Sequence, residues 1–163
     1  MLAARLALNQ SAAENNGRPS FEAMVCFAHA CAAAGQHLKA AESFAVAEKL
    51  APAGACDFSV SICYHYSKAD RRDLSDRWAE TAHHRNPSPV SAFNLALARQ
   101  GQGDIAGYEA LMRQALQRDT DYAPALESYG RHLNQKGDPA GIGMIERAFG
   151  HGAHDWLRDS AHV

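Results

Sequence analysis

Residues 21–54 read FEAMVCFAHACAAAGQHLKAAESFAVAEKLAPAG, and the spacing of their apolar positions decides the fold. Met24, Phe27, Ala28 and Cys31 recur at three- and four-residue steps, and so do Ala40, Phe44 and Ala47. Residues so spaced share one face of an α-helix, so each set forms the inward stripe of an amphipathic helix. Gly35 separates the stripes, and Pro52, which cannot continue a helix, closes the second. Small residues such as Ala28, Ala40 and Ala47 let the two helices approach, and larger neighbours fill the remaining space. A lone helix pair cannot bury its hydrophobic face, so the stretch predicts further pairs stacked beside it.

The rest of the chain supplies them. A second unit, from Cys56, carries Ile62-Cys63, Tyr66, Ala79, Ala82 and Pro87, with Asp70 in the place of the turn glycine and Ser75 in that of an alanine. A third, from Pro89 to Tyr122, carries Leu95-Ala96, Gly103-Asp104, Met112 and Ala115-Leu116, with Arg99, Tyr108 and Thr120 as its departures. A fourth begins at Ala123 with Leu126, Tyr129-Gly130, Leu133 and Gly137-Asp138 and runs through Ile145 to Ala148, one residue short between Gly137 and Ala148. Asp104 and Asp138 each follow a glycine and are placed to cap the next helix; Pro139 suits a first helical position, and Ser88 stands as a cap before Pro89. The predicted helices are 21–34, 38–51, 57–69, 73–85, 89–101, 105–118, 123–136 and 139–150. Another, over 2–15, ends at the turn Asn15-Asn16-Gly17-Arg18-Pro19.

This pattern resembles the tetratricopeptide repeat, a helix-turn-helix unit of about 34 residues. The family's large residue, large-small pair, aromatic, turn glycine, Ala-x3-Phe, alanine and proline are matched by Met24, Phe27-Ala28, Cys31, Gly35, Ala40-x3-Phe44, Ala47 and Pro52, with Cys31 standing for the aromatic. ERAFGHG, 146–152, is similar to the related Sel1-like repeats. The resemblance implies an all-α fold: a right-handed superhelical solenoid of about four antiparallel helix pairs with additional terminal helices. The repeats fall at 21–54, 56–88, 89–122 and 123–155. Residues 1–20 are then an N-terminal helix or a truncated upstream half-repeat, and 156–163 a cap or tail in which Trp156 and Leu157 cover the last repeat. Alternatively, both ends are cut edges of a longer protein.

In that family the concave face is lined by the first helix of each pair and holds a peptide or extended protein segment. Carried over residue by residue, its groove positions are Cys26 and His29, Ser61 and Tyr64, Asn94 and Leu97, and Ser128, Arg131 and Asn134. Asn94 stands out because an amide both donates to and accepts from a peptide backbone. The cluster of lysine, arginine and asparagine that grips chaperone tails in one subclass is matched only by Asn94 and Arg131, so a mixed polar and apolar groove is expected instead.

Composition agrees with a folded soluble protein. Of 163 residues, 47% are hydrophobic and 21% charged, enough apolar content for one substantial core. A formal charge of −2 lacks the basic footprint of a nucleic-acid or anionic-membrane binder. Nine histidines make the charge responsive to pH below about 6.5. The N-terminal segment lacks a signal peptide's long apolar centre, which predicts a cytoplasmic protein. Cys26, Cys31, Cys56 and Cys63 form no CxxC pair and read as reduced thiols.

No catalytic residue, metal ligand or cofactor is assigned. His83-His84 occupy adjacent helical positions that diverge, and suit a helix C-terminus. His151, His154 and Asp155 have a helical spacing for metal but lack a fourth ligand. In the implied groove, shared with Tyr64, helical spacing brings Cys26 and His29 near one another, and they read as packing neighbours rather than as a nucleophile and its base. RRDLSDRW, 71–78, is a solvated face with local ion pairs, leaving Trp78 as a partly exposed anchor. The expected function is a non-enzymatic scaffold or adaptor for a protein or peptide, either by itself or as a domain of a larger machine. The alternatives are a self-associating homo-oligomer, or a metal-dependent regulator or enzyme.

Overall fold

The computed structural model describes residues 1–52 and 56–150. Within them the chain is all-helical: α1 (Leu2–Glu14), α2 (Phe21–Ala33), α3 (His37–Leu50), α4 (Ser59–Lys68), α5 (Arg72–Arg85), α6 (Pro89–Gly101), α7 (Ile105–Arg118), α8 (Ala123–Gln135) and α9 (Ala140–Phe149). Every boundary lies within two residues of the one read from apolar spacing and caps.

The turn inside each helix pair is built four times in the same way. The amide of Gln36 donates to the carbonyl of Cys31, Arg71 to Tyr66, Asp104 to Arg99 and Asp138 to Leu133, each at 2.9 Å. The preceding residue is left-handed in each case: Gly35 at φ 68°, Asp70 at 55°, Gly103 at 80° and Gly137 at 77°. Such a turn satisfies carbonyls that a helix end leaves without partners, and glycine enters it without a Cβ penalty. Asp70 breaks the glycine pattern but keeps the geometry, because aspartate tolerates this region better than most residues.

Caps fix the helix starts. Ser20 and Asp104 accept from the amides of Ala23 and Gly107, at 3.2 and 2.9 Å. Ser88 and Ser91 cap each other reciprocally, at 3.1 and 2.8 Å. Asp138 accepts from Ala140 at 3.0 Å, so Pro139 sits at the N-cap of α9 and not at its first helical position.

Two compact units divide the chain, Met1–Asn86 and Pro87–Val163. In the first, successive helices pack from α1 to α5. Its core gathers Ala28, Ala41, Phe44, Ile62 and Tyr66, with Phe58, Leu74 and Trp78 packed against them. Trp78 is thus partly held by the core, which its place in a charged stretch did not indicate. Glu48 of α3 accepts from the Phe58 amide at 2.9 Å and pairs with Arg85, joining the ends of three helices. In the second unit α6 to α9 pack in order around Ala92, Ala96, Tyr108, Met112, Ala115, Ala125 and Tyr129.

Where neighbouring helices touch, within a pair or between pairs, single residues have specific tasks. Ser75 donates through its hydroxyl to the Cys63 carbonyl at 3.1 Å. A Cβ on Gly141 would lie 2.5 Å from the Gly130 carbonyl oxygen and 2.5 Å from the Asn134 nitrogen, so α8 and α9 meet backbone to backbone. Tyr108 is fully buried, and its phenol donates to the Ser128 carbonyl at 3.1 Å while the Ser128 hydroxyl lies 3.1 Å from the phenol oxygen. The chain therefore reaches from α7 into α8 with one long side chain where an alanine would leave a void.

Candidate functional site

In the first unit, α2 positions Cys26 and His29, and α4 positions Ser61 and Tyr64. Cys26, His29 and Tyr64 are exposed and Ser61 is half-buried. The His29 ring stands edge-on to Phe44 at 5.0 Å, packed beside the core. Tyr64 carries the Lys68 ammonium over its ring at 5.6 Å.

Behind these residues runs a ladder of rings that spacing alone did not reveal. Phe58 stacks on Phe44 at 5.3 Å, Phe44 on His65 at 5.9 Å, and His65 on His37 at 5.3 Å. The Nδ1 atoms of His37 and His65 are 3.0 Å apart, so one ring donates and the other accepts. His65 is buried, and that burial, followed by the neighbouring His37 and His29 imidazoles, holds its pKa below the ordinary histidine value. Cys31 and Cys63 are buried as small core residues, and desolvation pushes both thiols up.

In the second unit, α6 positions Asn94 and Leu97, and α8 positions Ser128, Arg131 and Asn134. A cleft of about 440 Å³ opens between α6 and α8, lined by Phe93, Pro124, Glu127, Ser128 and Arg131. Of the expected groove residues, Ser128 and Arg131 line this cleft, and Asn94, Leu97 and Asn134 lie on the same helices outside that lining. Asn94 is half-buried, and Leu97 and Asn134 are exposed. Arg131 pairs with Glu127 at 2.8 Å, one helical turn away, which neutralises the rim of the cleft. Phe93 and Pro124 make its apolar wall. Their signal in sequence was weak, because each adjoins a groove or core position without repeating from unit to unit.

A polar cluster joins α7 to α8. Glu109 accepts from Lys136 at 2.7 Å and from His132 at 2.9 Å, and Arg113 lies 3.6 Å away. Hydrogen bonds from Lys136, then from His132, lower its pKa to about 2. Arg113 also donates to the Tyr129 phenol at 3.0 Å. Each member of this cluster faces a partner from the adjoining helix, so it acts as a clasp between α7 and α8.

His83 and His84 occupy the last turn of α5, as their charge complement to the helix dipole suggested. Arg71 pairs with Asp73 and Arg72 with Asp70, each at 3.5 Å, on an exposed surface. His151, His154, Asp155, Trp156 and Leu157 lie outside the described residues. Among the described residues, no group of three or more His, Cys, Asp and Glu side chains is placed to hold a metal ion. None of the described helices is long and apolar enough to cross a membrane. No protein-family model matches the chain, and no curated protein matches it.

Proposed function

We propose that the protein is a non-enzymatic binding module for a peptide or extended protein segment, a cytoplasmic scaffold or adaptor built from tetratricopeptide-like helix pairs stacked as a right-handed superhelical solenoid. The cleft between α6 and α8 carries this proposal. It opens between the first helices of two successive pairs, where the family resemblance puts the groove. Its wall is apolar, from Phe93 and Pro124, and its rim is polar, from Glu127 and Arg131. Such a lining suits a side chain inserted against Phe93 while the adjoining backbone meets the charged rim. The four matching turns and the small residues at the helix contacts support the repeat character of the module.

A peptide-display selection against the whole chain tests the proposal. Selected peptides should lose roughly tenfold or more in affinity to Phe93→Ala, and less to Arg131→Ala and Asn94→Ala, since buried aromatic anchors dominate such interfaces. Selected peptides that bind all three variants as tightly as the parent would place the binding face elsewhere. A second proposal, self-association, is favoured by exposed apolar side chains on the outermost described helices: Leu2 and Leu6 on α1, 74% and 59% exposed, and Ile142 and Phe149 on α9. A sedimentation mass that rises with concentration, and is restored to the monomer value by Leu6→Glu or Ile142→Glu, would support it. A constant monomer mass contradicts it.

A further inference from the structure

We infer that His37 and His65 form a proton-operated clasp between the two helix pairs of the Met1–Asn86 unit, closed with one shared hydrogen bond and opened when both rings are protonated. The geometry sets the rule. A single Nδ1 to Nδ1 hydrogen bond at 3.0 Å needs one protonated and one bare nitrogen. With both rings neutral, one tautomer supplies the donor. The first added proton can settle on the far nitrogen, Nε2, of the donor ring, leaving the bond intact and charge-assisted. A second proton must take the bare Nδ1, which turns the contact into two donors and two cations face to face.

The surroundings give a second proton no compensation. From α3, His37 faces His65; from α2, His29 contributes a further imidazole across Phe44. On α4 itself the neighbours are Tyr64, at 5.1 Å from the His65 ring, and Lys68 over Tyr64. From α5 the side chains that reach this core are Leu74 and Trp78. The groups that act on the His65 charge are imidazoles, His37 first and then His29, and both disfavour it. His65 in the folded unit therefore binds its proton less tightly than in the unfolded chain, so the unfolded or opened form gains protons first as pH falls below about 6.5, and acidification works against the clasp.

Opening has a local consequence. His37 also stands edge-on to Tyr64 at 6.4 Å, so the ring pair supports an exposed aromatic on the candidate binding face from behind. Release of the clasp frees Tyr64 and loosens α3 from α4. This follows from the geometry and burial of the histidine pair and holds whether or not that face binds a peptide.

The test is a ligand-free NMR titration of the full chain from pH 8 to pH 4.5, reading the ring signals of Tyr64, Phe44 and the histidines. The wild type should show Tyr64 and Phe44 shifting together with His65, with a midpoint below about 6.5. In His65→Phe, which keeps the stack on Phe44, that joint shift should vanish. In His37→Gln, at a half-buried position, the amide oxygen can accept from a His65 imidazolium and no second cation faces it, so the midpoint should rise by about half a pH unit or more. Tyr64 and Phe44 signals that stay constant in the folded wild type, or a His37→Gln titration that matches the wild type, would overturn the clasp. The second variant decides the matter even if the first fails to fold.

Discussion

Gly141→Ala offers the sharpest check on how the helix pairs close. The added Cβ would stand 2.5 Å from the Gly130 oxygen and from the Asn134 nitrogen, both backbone atoms of α8, and 3.1 Å from the Asn134 Cα. Ordinary contact begins near about 3.5 Å, so α9 must retreat by roughly 1 Å. No rotamer change can relieve a clash between a Cβ and a facing backbone. Overpacking of this kind costs about 3 kcal/mol, and the better helix propensity of alanine offsets about 1, leaving a net loss of about 2 kcal/mol. Gly143 lies in the same helix with nothing within 4 Å of a built Cβ. There the same substitution should stabilise by about 0.5–1 kcal/mol. The assay is urea unfolding followed by the ring signals of Tyr108 and Tyr129, which belong to the same unit. If Gly141→Ala proves as stable as Gly143→Ala, α8 and α9 do not meet as described.

Other substitutions probe single contacts. Asp70→Gly relieves a left-handed aspartate at φ 55° and should stabilise the first unit by up to about 1 kcal/mol, whereas Gly103→Ala, at φ 80°, should destabilise the second by about 1, both read in urea midpoints at unchanged slope. Tyr108→Phe keeps the ring but removes the phenol's bond to the Ser128 carbonyl, a loss of about 0.5–1.5 kcal/mol in the same experiment. Glu109 has a folded pKa lowered to about 2, so its contribution is present above the unfolded carboxylate value and lost as pH falls toward 2. Glu109→Gln should therefore be less stable than wild type at pH 7, with the gap closing on acidification; a gap independent of pH would refute the clasp formed by Lys136 and His132. An aromatic disulfide reagent should modify exposed Cys26 and Cys56 rapidly in the native protein, and buried Cys31 and Cys63 only on unfolding.

Apolar spacing carried the helices because period and capping are local. Met24, Ala28 and Cys31 lie on one stripe, and all three are buried. Gly35, Gly103 and Gly137 marked turns whose hydrogen bonds are fixed by neighbours a few residues away. Even the departures could be located, but not their purposes. Tyr108 stood where an alanine was expected, and its task depends on Ser128 in the next helix, 20 residues on. The His37–His65 bond spans 28 residues, and helical periodicity says which face each ring occupies, not what stands opposite. The same limit applies to the candidate face. Ser128 and Arg131 line the α6–α8 cleft, but Ser128 also holds Tyr108, and the cleft wall comes from Phe93 and Pro124, which the repeat does not mark.

The central claim is that the first helices of the pairs form the binding face. It is tested most directly by mapping amide shifts in the full chain on titration with a display-selected peptide. The account predicts that the largest changes fall at Phe93, Asn94, Ser128 and Arg131 on α6 and α8, and that Phe93→Ala weakens them. Changes confined to α7 and α9, with Phe93→Ala binding as the parent does, would contradict it.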